Sequence, residues 1–275
     1  MPTETRWVRA PGARLHVAVD GEGPPIVLVH SALVDLRAWD ALVPYLVAAG
    51  HRVVRYDVRS FGRSATEDVE FSNRADLRAV LDDLGIGRAL FVGNSWGAMI
   101  ALDTIIESPE RAVALAWVGG GISGFDGGAS PAEIPLLDEG EAAETSGDAE
   151  RIVDVDLRFW VDGPGQAPTR VPAAIRNAVR EMDLPMYRPD RVTGHGVPLE
   201  PSANERLGEI RIPVLAIVGA LDASGTRAAA TRLAGAVPNA RLVIVPDVAH
   251  MVGMEVPGGL AGLILDLAGP IGAWS

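Results

Sequence analysis

Gly93-Asn94-Ser95-Trp96-Gly97 is the stretch whose reading decides the fold. An apolar run, Ala89-Leu90-Phe91-Val92, leads into it. A helical pattern of Ala98, Met99, Ile100, Ala101, Leu102, Ile105 and Ile106 leads out. Between a strand and a helix, Gly-x-Ser-x-Gly makes a sharp turn that lifts the serine oxygen off the end of the sheet. The turn crowds its flanking residues, and glycine at 93 and 97 removes the Cβ atoms that would collide. The helix that begins there points unpaired N–H groups at the same spot. The five residues alone also fit a glycine-rich turn with an incidental serine, so the rest of the chain must choose.

Outward from this turn, strands and helices alternate. Upstream, Arg6–Ala10 and Arg14–Val19 form a hairpin pattern around Pro11-Gly12. Ile26–His30 is a continuous apolar run, as in a strand buried on both faces. Leu36–Ala49 has helical spacing interrupted by Pro44, Arg52–Asp57 reads as a strand, and a helix opens at Ser72 and closes at Gly85. Downstream, Ala114–Val118, Pro213–Gly219 and Arg241–Pro246 read as strands, and Thr226–Val237 and Pro257–Leu267 as helices. The alternation predicts an α/β fold with a doubly wound, mostly parallel sheet.

After Gly119 the character changes. Residues 121–205 are rich in glycine, proline and acids, with short helical pieces at Ala149–Trp160 and Pro172–Met182. This segment holds 16 Asp and Glu against 7 Arg, so most of the net charge of −12 lies in it. The organisation expected is a core made of residues 1–120 and 206–275, with a lid inserted at 121–205 over the sheet edge. Gly119-x-Gly121-x-x-Gly124 matches the dinucleotide fingerprint in letters. However, Phe125-Asp126-Gly127-Gly128-Ala129-Ser130-Pro131 cannot form the helix that would receive a pyrophosphate.

Composition narrows the chemistry. A chain of 275 residues, 48% hydrophobic and 22% charged, builds a sizeable core. Cysteine is absent, which excludes a thiolate nucleophile and disulfides. Lysine is absent too, because all 24 basic residues are arginine. That excludes a Schiff base, a phosphate-loop lysine and a Ser-x-x-Lys acylase. The net charge argues against nucleic acid and anionic membranes as partners. No 18-residue apolar run is present, and Met1-Pro2-Thr3-Glu4 does not open a basic-then-apolar leader. The expectation is a soluble, cytoplasmic protein without cofactor or metal. Its expected partner is a small-molecule substrate, with a homodimer left open.

A serine nucleophile needs a base within hydrogen-bond reach and an acid to orient that base. His250 follows the last strand and Asp222 the one before it. Every strand of a parallel sheet opens its C-terminal end on one edge, so both are expected beside Ser95. The order Ser95, Asp222, His250 is the one this architecture uses. Asp126 also lies beyond a strand end and is the rival acid. Backbone N–H groups of Trp96 and Ala32 are the expected oxyanion donors. His30, Ser31, Asn94, Trp160, Met182 and Met186 are the expected substrate contacts.

These residues carry a resemblance that spans nearly the whole chain. It resembles the α/β-hydrolases, with His30-Ser31-Ala32 at their His-Gly-x, Asp57-Val58-Arg59-Ser60-Phe61-Gly62-Arg63-Ser64 at their Asp-x-Arg-Gly-x-Gly-x-Ser, and Ser95, Asp222 and His250 at their nucleophile, acid and base. Ser31 and Ser60 stand where glycine is usual, and Ala98 where a second glycine often follows the elbow. The elbow with Trp96 also resembles proline iminopeptidases, but their His-Gly-Gly-Pro-Gly loop is missing, which disfavours a peptidase. The resemblance implies a metal-free serine hydrolase of a small, mostly apolar ester, lactone or related carbonyl compound. Carbon–carbon bond hydrolysis, hydroxynitrile-lyase chemistry and a small-molecule receptor are the alternatives, because one fold hosts many functions.

Overall fold

Strands that are apolar on both faces need cover on both sides, and the chain provides it. A computed structural model describes residues 3–269. Met1 and Pro2, which enter the reading of the leader, lie outside the described residues. The main strands are β1 (Glu4–Ala10), β2 (Ala13–Asp20), β3 (Pro25–Val29), β4 (Arg52–Tyr56), β5 (Ala89–Asn94), β6 (Ala112–Val118), β7 (Val214–Gly219) and β8 (Ala240–Val245). They lie in the order β1-β2-β4-β3-β5-β6-β7-β8, with Ala65–Thr66 added on β2. β2 is antiparallel to β1 and β4, and all the other pairings along this order are parallel.

The helices are α1 (Val43–Ala48), α2 (Asn73–Asp83), α3 (Trp96–Glu107), α4 (Ile134–Ser146), α5 (Ala149–Asp156), α6 (Ala173–Asp183), α7 (Ala203–Arg206), α8 (Ser224–Ala236), α9 (Val252–Glu255) and α10 (Pro257–Ala268). Successive strand residues face opposite sides of the sheet. Val27 and Val29 accordingly pack with residues of α2, α3 and α8, whereas Ile26 and Leu28 pack with residues of α1 and α10. All four are fully buried. The expected helix over Leu36–Ala49 is divided into a 3₁₀ turn, Leu36–Trp39, and α1. Pro44 lies in the first turn of α1, where its missing N–H breaks no helical bond.

Between β6 and β7 the chain leaves the sheet and forms α4 to α7. The pieces expected from the sequence are present as α5, continued by a π-helical turn at Leu157–Val161, and as α6. α4 had no sequence signal because it has no apolar stripe: Ala143 is its only buried residue. The insert rests on the loop after β3, where Leu33, Val34 and Ala38 pack against Val153, Leu157, Val161, Val179 and Met182. Met251, next to His250, joins the same cluster. Leu199 and Ala203 pack instead into the core beneath the sheet, so the chain rejoins the core before residue 205.

Candidate active site

Ser95 follows β5 with φ 55° and ψ −118°, a conformation that a residue with a side chain rarely adopts. Local crowding makes the two glycines obligatory. A Cβ on Gly93 would lie 2.4 Å from Ala98 Cα, and one on Gly97 would lie 2.2 Å from the Val29 carbonyl oxygen. The close approach at Gly97 seats the start of α3 on the end of β3, beside the loop that carries Ala32. The Ser95 N–H donates to the Val118 carbonyl at 2.9 Å, which fixes the turn to β6. Strain of this kind costs on the order of 1–3 kcal/mol and persists only where the surroundings enforce it.

Asp222 and His250 meet beyond the ends of β7 and β8. His250 Nδ1 lies 3.0 Å from both Asp222 oxygens. A carboxylate can only accept, so Nδ1 carries a proton, and in the neutral ring Nε2 is the nitrogen with the lone pair. Asp222 Oδ1 also accepts the Ala223 N–H at 2.7 Å, which prevents rotation of the carboxylate. Both side chains are buried. Gly119, at φ +50°, covers the pair: a Cβ there would lie 3.0 Å from Asp222 Oδ2.

The loop bearing His250 is tied down on all sides. Asn94 Nδ2 donates to the His250 carbonyl at 3.2 Å and to Val118 O at 3.1 Å. The His250 N–H donates to the Trp160 carbonyl at 3.3 Å, and the Trp160 ring lies 4.6 Å from the imidazole between centroids. Arg170 of the insert donates to the Asp247, Val161 and Asp162 carbonyls and pairs with Glu255, whose other oxygen takes the Ala249 N–H. Arg170 and Glu255 had no motif to announce them, because they act on backbone atoms brought near only by folding.

Ser95, Trp96, Trp160 and His250 line one cavity of about 420 Å³, with Met99, Ile122, Phe125, Leu137 and Phe159 as its apolar wall. The N–H groups of Ala32 and Trp96 make no hydrogen bond among the described residues. Of the expected substrate contacts only Trp160 faces this cavity. His30 is fully buried: it accepts the Val58 N–H on Nε2 at 2.8 Å and donates from Nδ1 to the Ser31 carbonyl at 2.7 Å. Burial holds its pKa below the ordinary histidine value, consistent with a neutral ring. Ser31 is buried as well, and its Oγ accepts the Leu33 N–H at 3.4 Å. Its φ is not positive, so glycine is not required there.

Asn94 is consumed by the two carbonyls already named. Met182 and Met186 line a different cavity, of about 460 Å³, with His16, Asp57 and Arg63. Asp57 is the hub of the motif after β4: it takes the Leu36 and Arg63 N–H groups and His16 Nδ1. Asp126, the rival acid, is exposed, and its Oδ1 takes the Gly128 N–H at 2.8 Å. Among the described residues, no group of three or more His, Cys, Asp or Glu could hold a metal ion, and no helix is long and apolar enough to cross a membrane.

A strained serine at a strand–helix turn, opening on a cavity shared with an Asp-paired histidine, characterises one large class of sheet enzymes. The chain belongs to the alpha/beta hydrolase family, whose model matches residues 26–263. Among its relatives, rhodomycin D methylesterase DnrP of Streptomyces peucetius is 28% identical, over 89% of this chain and 91% of that protein. Bifunctional epoxide hydrolase 2 of Sus scrofa is 30% identical over 54% of this chain, which spans only 28% of that protein. Among solved structures, Est816, described as an N-acyl homoserine lactone degrading enzyme, superposes with a TM-score of 0.73. It is 25% identical, with 94% of this chain and 98% of that one covered.

Proposed function

We propose that this protein is a serine hydrolase that cleaves small, mostly apolar esters or lactones through an acyl-enzyme. The observation that carries the reading is the Asp222–His250 pair opening, with Ser95, on one apolar cavity. His250 Nε2 takes the Ser95 Oγ proton as Oγ attacks the substrate carbonyl carbon. The carbonyl oxygen becomes an oxyanion, and the uncommitted Ala32 and Trp96 N–H groups receive it. The intermediate collapses as the C–O bond to the alcohol breaks, and the imidazolium returns its proton to the leaving oxygen. Water then repeats the sequence and releases the acid and free Ser95. Asp222 holds the tautomer and stabilises the imidazolium. Ser95 Oγ makes no hydrogen bond among the described residues, and a nucleophile–base bond of this kind often tightens only around substrate. The insert acts as a lid, with the Trp160 turn forming the wall over His250.

The relatives comprise an ester-cleaving enzyme, a lactone-degrading enzyme and an epoxide hydrolase. Chemistry separates the last from the first two. A serine oxygen that opened an epoxide would be left as an ether, which water does not cleave under these conditions. An acyl group on the same oxygen is an ester, which His250 and water can hydrolyse. The serine therefore favours acyl transfer. A fluorophosphonate should label Ser95 alone by peptide mass spectrometry, and Ser95→Ala should lose on the order of 10⁴- to 10⁶-fold in kcat on 4-nitrophenyl butyrate. A folded Ser95→Ala variant that keeps a tenth of the activity refutes the reading.

A further inference from the structure

Besides His250, the ionisable side chains lining the Ser95 cavity are Asp126 and Glu133, both carboxylic acids. No arginine lines it among the described residues. Glu133 is buried and cannot turn away. Its Oε1 takes the Ser224 N–H at 2.7 Å, and its Oε2 takes the Ser130 N–H at 2.6 Å and the Ser224 hydroxyl. Ser224 opens α8, which lacks a side-chain cap of its own, so Glu133 supplies an anionic cap from the insert. Burial alone would raise the pKa of Glu133, but the hydrogen bonds from Ser224 and Ser130 outweigh it and hold the carboxyl below its ordinary value. Asp126 is exposed on the loop that edges the cavity, held by the Gly128 N–H.

Several arginines of the insert, and Arg59, are held in ion pairs elsewhere. Arg158 pairs with Glu139 and Asp154, Arg170 with Glu255, Arg176 with Asp162 and Arg180 with Glu150. Arg59 is buried on Asp76.

We infer that Asp126 and Glu133 make this site select against substrates that carry a carboxylate, and in favour of neutral esters and lactones. The inference rests on the cavity being the substrate site of the proposed hydrolase. An anion entering it loses water to an apolar wall and meets two like charges, with no arginine among the described lining residues to offset them. A round cavity of about 420 Å³ is roughly 10 Å across, a distance at which two like charges near a protein surface change an equilibrium by about an order of magnitude.

The test compares kcat/KM for 4-nitrophenyl butyrate with that for mono-4-nitrophenyl succinate, a carboxylate of similar length. At low salt the neutral ester should be favoured by about tenfold or more, and the ratio should shrink at about 0.5 M salt as screening shortens. Asp126→Asn should narrow the low-salt ratio several-fold, and Asp126→Arg should narrow it further. Equal or better use of the anion at low salt, or a ratio that neither variant moves, overturns the inference. If neither ester is turned over and Ser95 resists fluorophosphonate, the hydrolase reading fails separately. Charge selection is then read by calorimetry with N-phenylbutyramide and N-phenylsuccinamate, where equal or tighter binding of the succinamate overturns it.

Discussion

Alanine at Gly119 probes the Asp222–His250 pair from the backbone side. Gly119 adopts φ +50°, and a Cβ there would lie 3.0 Å from Asp222 Oδ2 and 3.3 Å from His250 Nδ1. Two costs follow. The left-handed conformation costs an alanine about 1–2 kcal/mol, which in a domain of this size lowers Tm by roughly 2–8 °C. The contact also forces the pair to give by a few tenths of an ångström. Asp222 cannot retreat freely, because Oδ1 is bonded to the Ala223 N–H, and His250 is backed by the Trp160 ring. A misplacement of about 1 Å in a catalytic group costs on the order of 10²-fold, so kcat on 4-nitrophenyl butyrate should fall roughly 10- to 10²-fold. Gly85→Ala is the control. Gly85 has φ +65° after α2 and no atom within 4 Å of a built Cβ, so it carries the backbone cost without the clash. Gly119→Ala should lose at least as much Tm as Gly85→Ala, and only Gly119→Ala should lose rate. If Gly119→Ala turns over substrate as fast as Gly85→Ala, the pair either has room to move or takes no part in catalysis.

Three further outcomes are expected. Asp222→Asn should slow turnover by roughly 10³- to 10⁴-fold, because the imidazole loses its tautomer partner; an equal loss in Asp126→Asn, with Asp222→Asn mild, would move the acid to the earlier loop. Ser31→Ala should keep kcat within a few-fold and lower Tm slightly, since the buried Oγ only accepts a long bond from Leu33; a roughly 10²-fold loss of kcat would return the hydroxyl to the site. Burial and the neighbouring Asp156, which itself takes the Tyr187 hydroxyl, push the pKa of Asp183 up to about 8. The folded protein therefore holds a proton that the unfolded chain releases near pH ~4, and stability should decline as pH rises between about 4 and about 8. Asp183→Asn is neutral throughout, so it should flatten that decline and raise Tm at about pH 8; Tm–pH profiles that superpose for both proteins would refute the assignment.

The parts legible in sequence were those governed by local rules. Glycine at 93 and 97 is dictated by contacts within the turn and with the adjacent strand end. Apolar runs such as Ile26–Val29 announce strands buried on both faces. The alternation of strands and helices puts Ser95, Asp222 and His250 at one edge without reference to side-chain detail. Pro44 reads in sequence as an interruption but begins a helix, because proline is tolerated in a first turn and nothing local distinguishes the two roles. The insert was the least legible part. α4 buries only Ala143 and so shows no apolar stripe.

The expected substrate contacts show where local reading stops. His30, Ser31 and Asn94 are polar residues beside strand ends, which is compatible with facing a ligand or with bonding to backbone. Folding sent all three to backbone atoms: His30 to Val58 and Ser31, Ser31 to Leu33, and Asn94 to Val118 and His250. Met182 and Met186 went to a second cavity, whereas Trp160 came to rest on His250. The serine turn, the parallel sheet and the edge where Ser95, Asp222 and His250 gather follow from short-range sterics and strand order, which neighbouring residues encode. The side chains that face the cavity, the cap that Glu133 lends to α8 and the cover that Gly119 gives the Asp222–His250 pair join residues far apart in the chain. Such contacts depend on how the insert packs, and no local pattern records that.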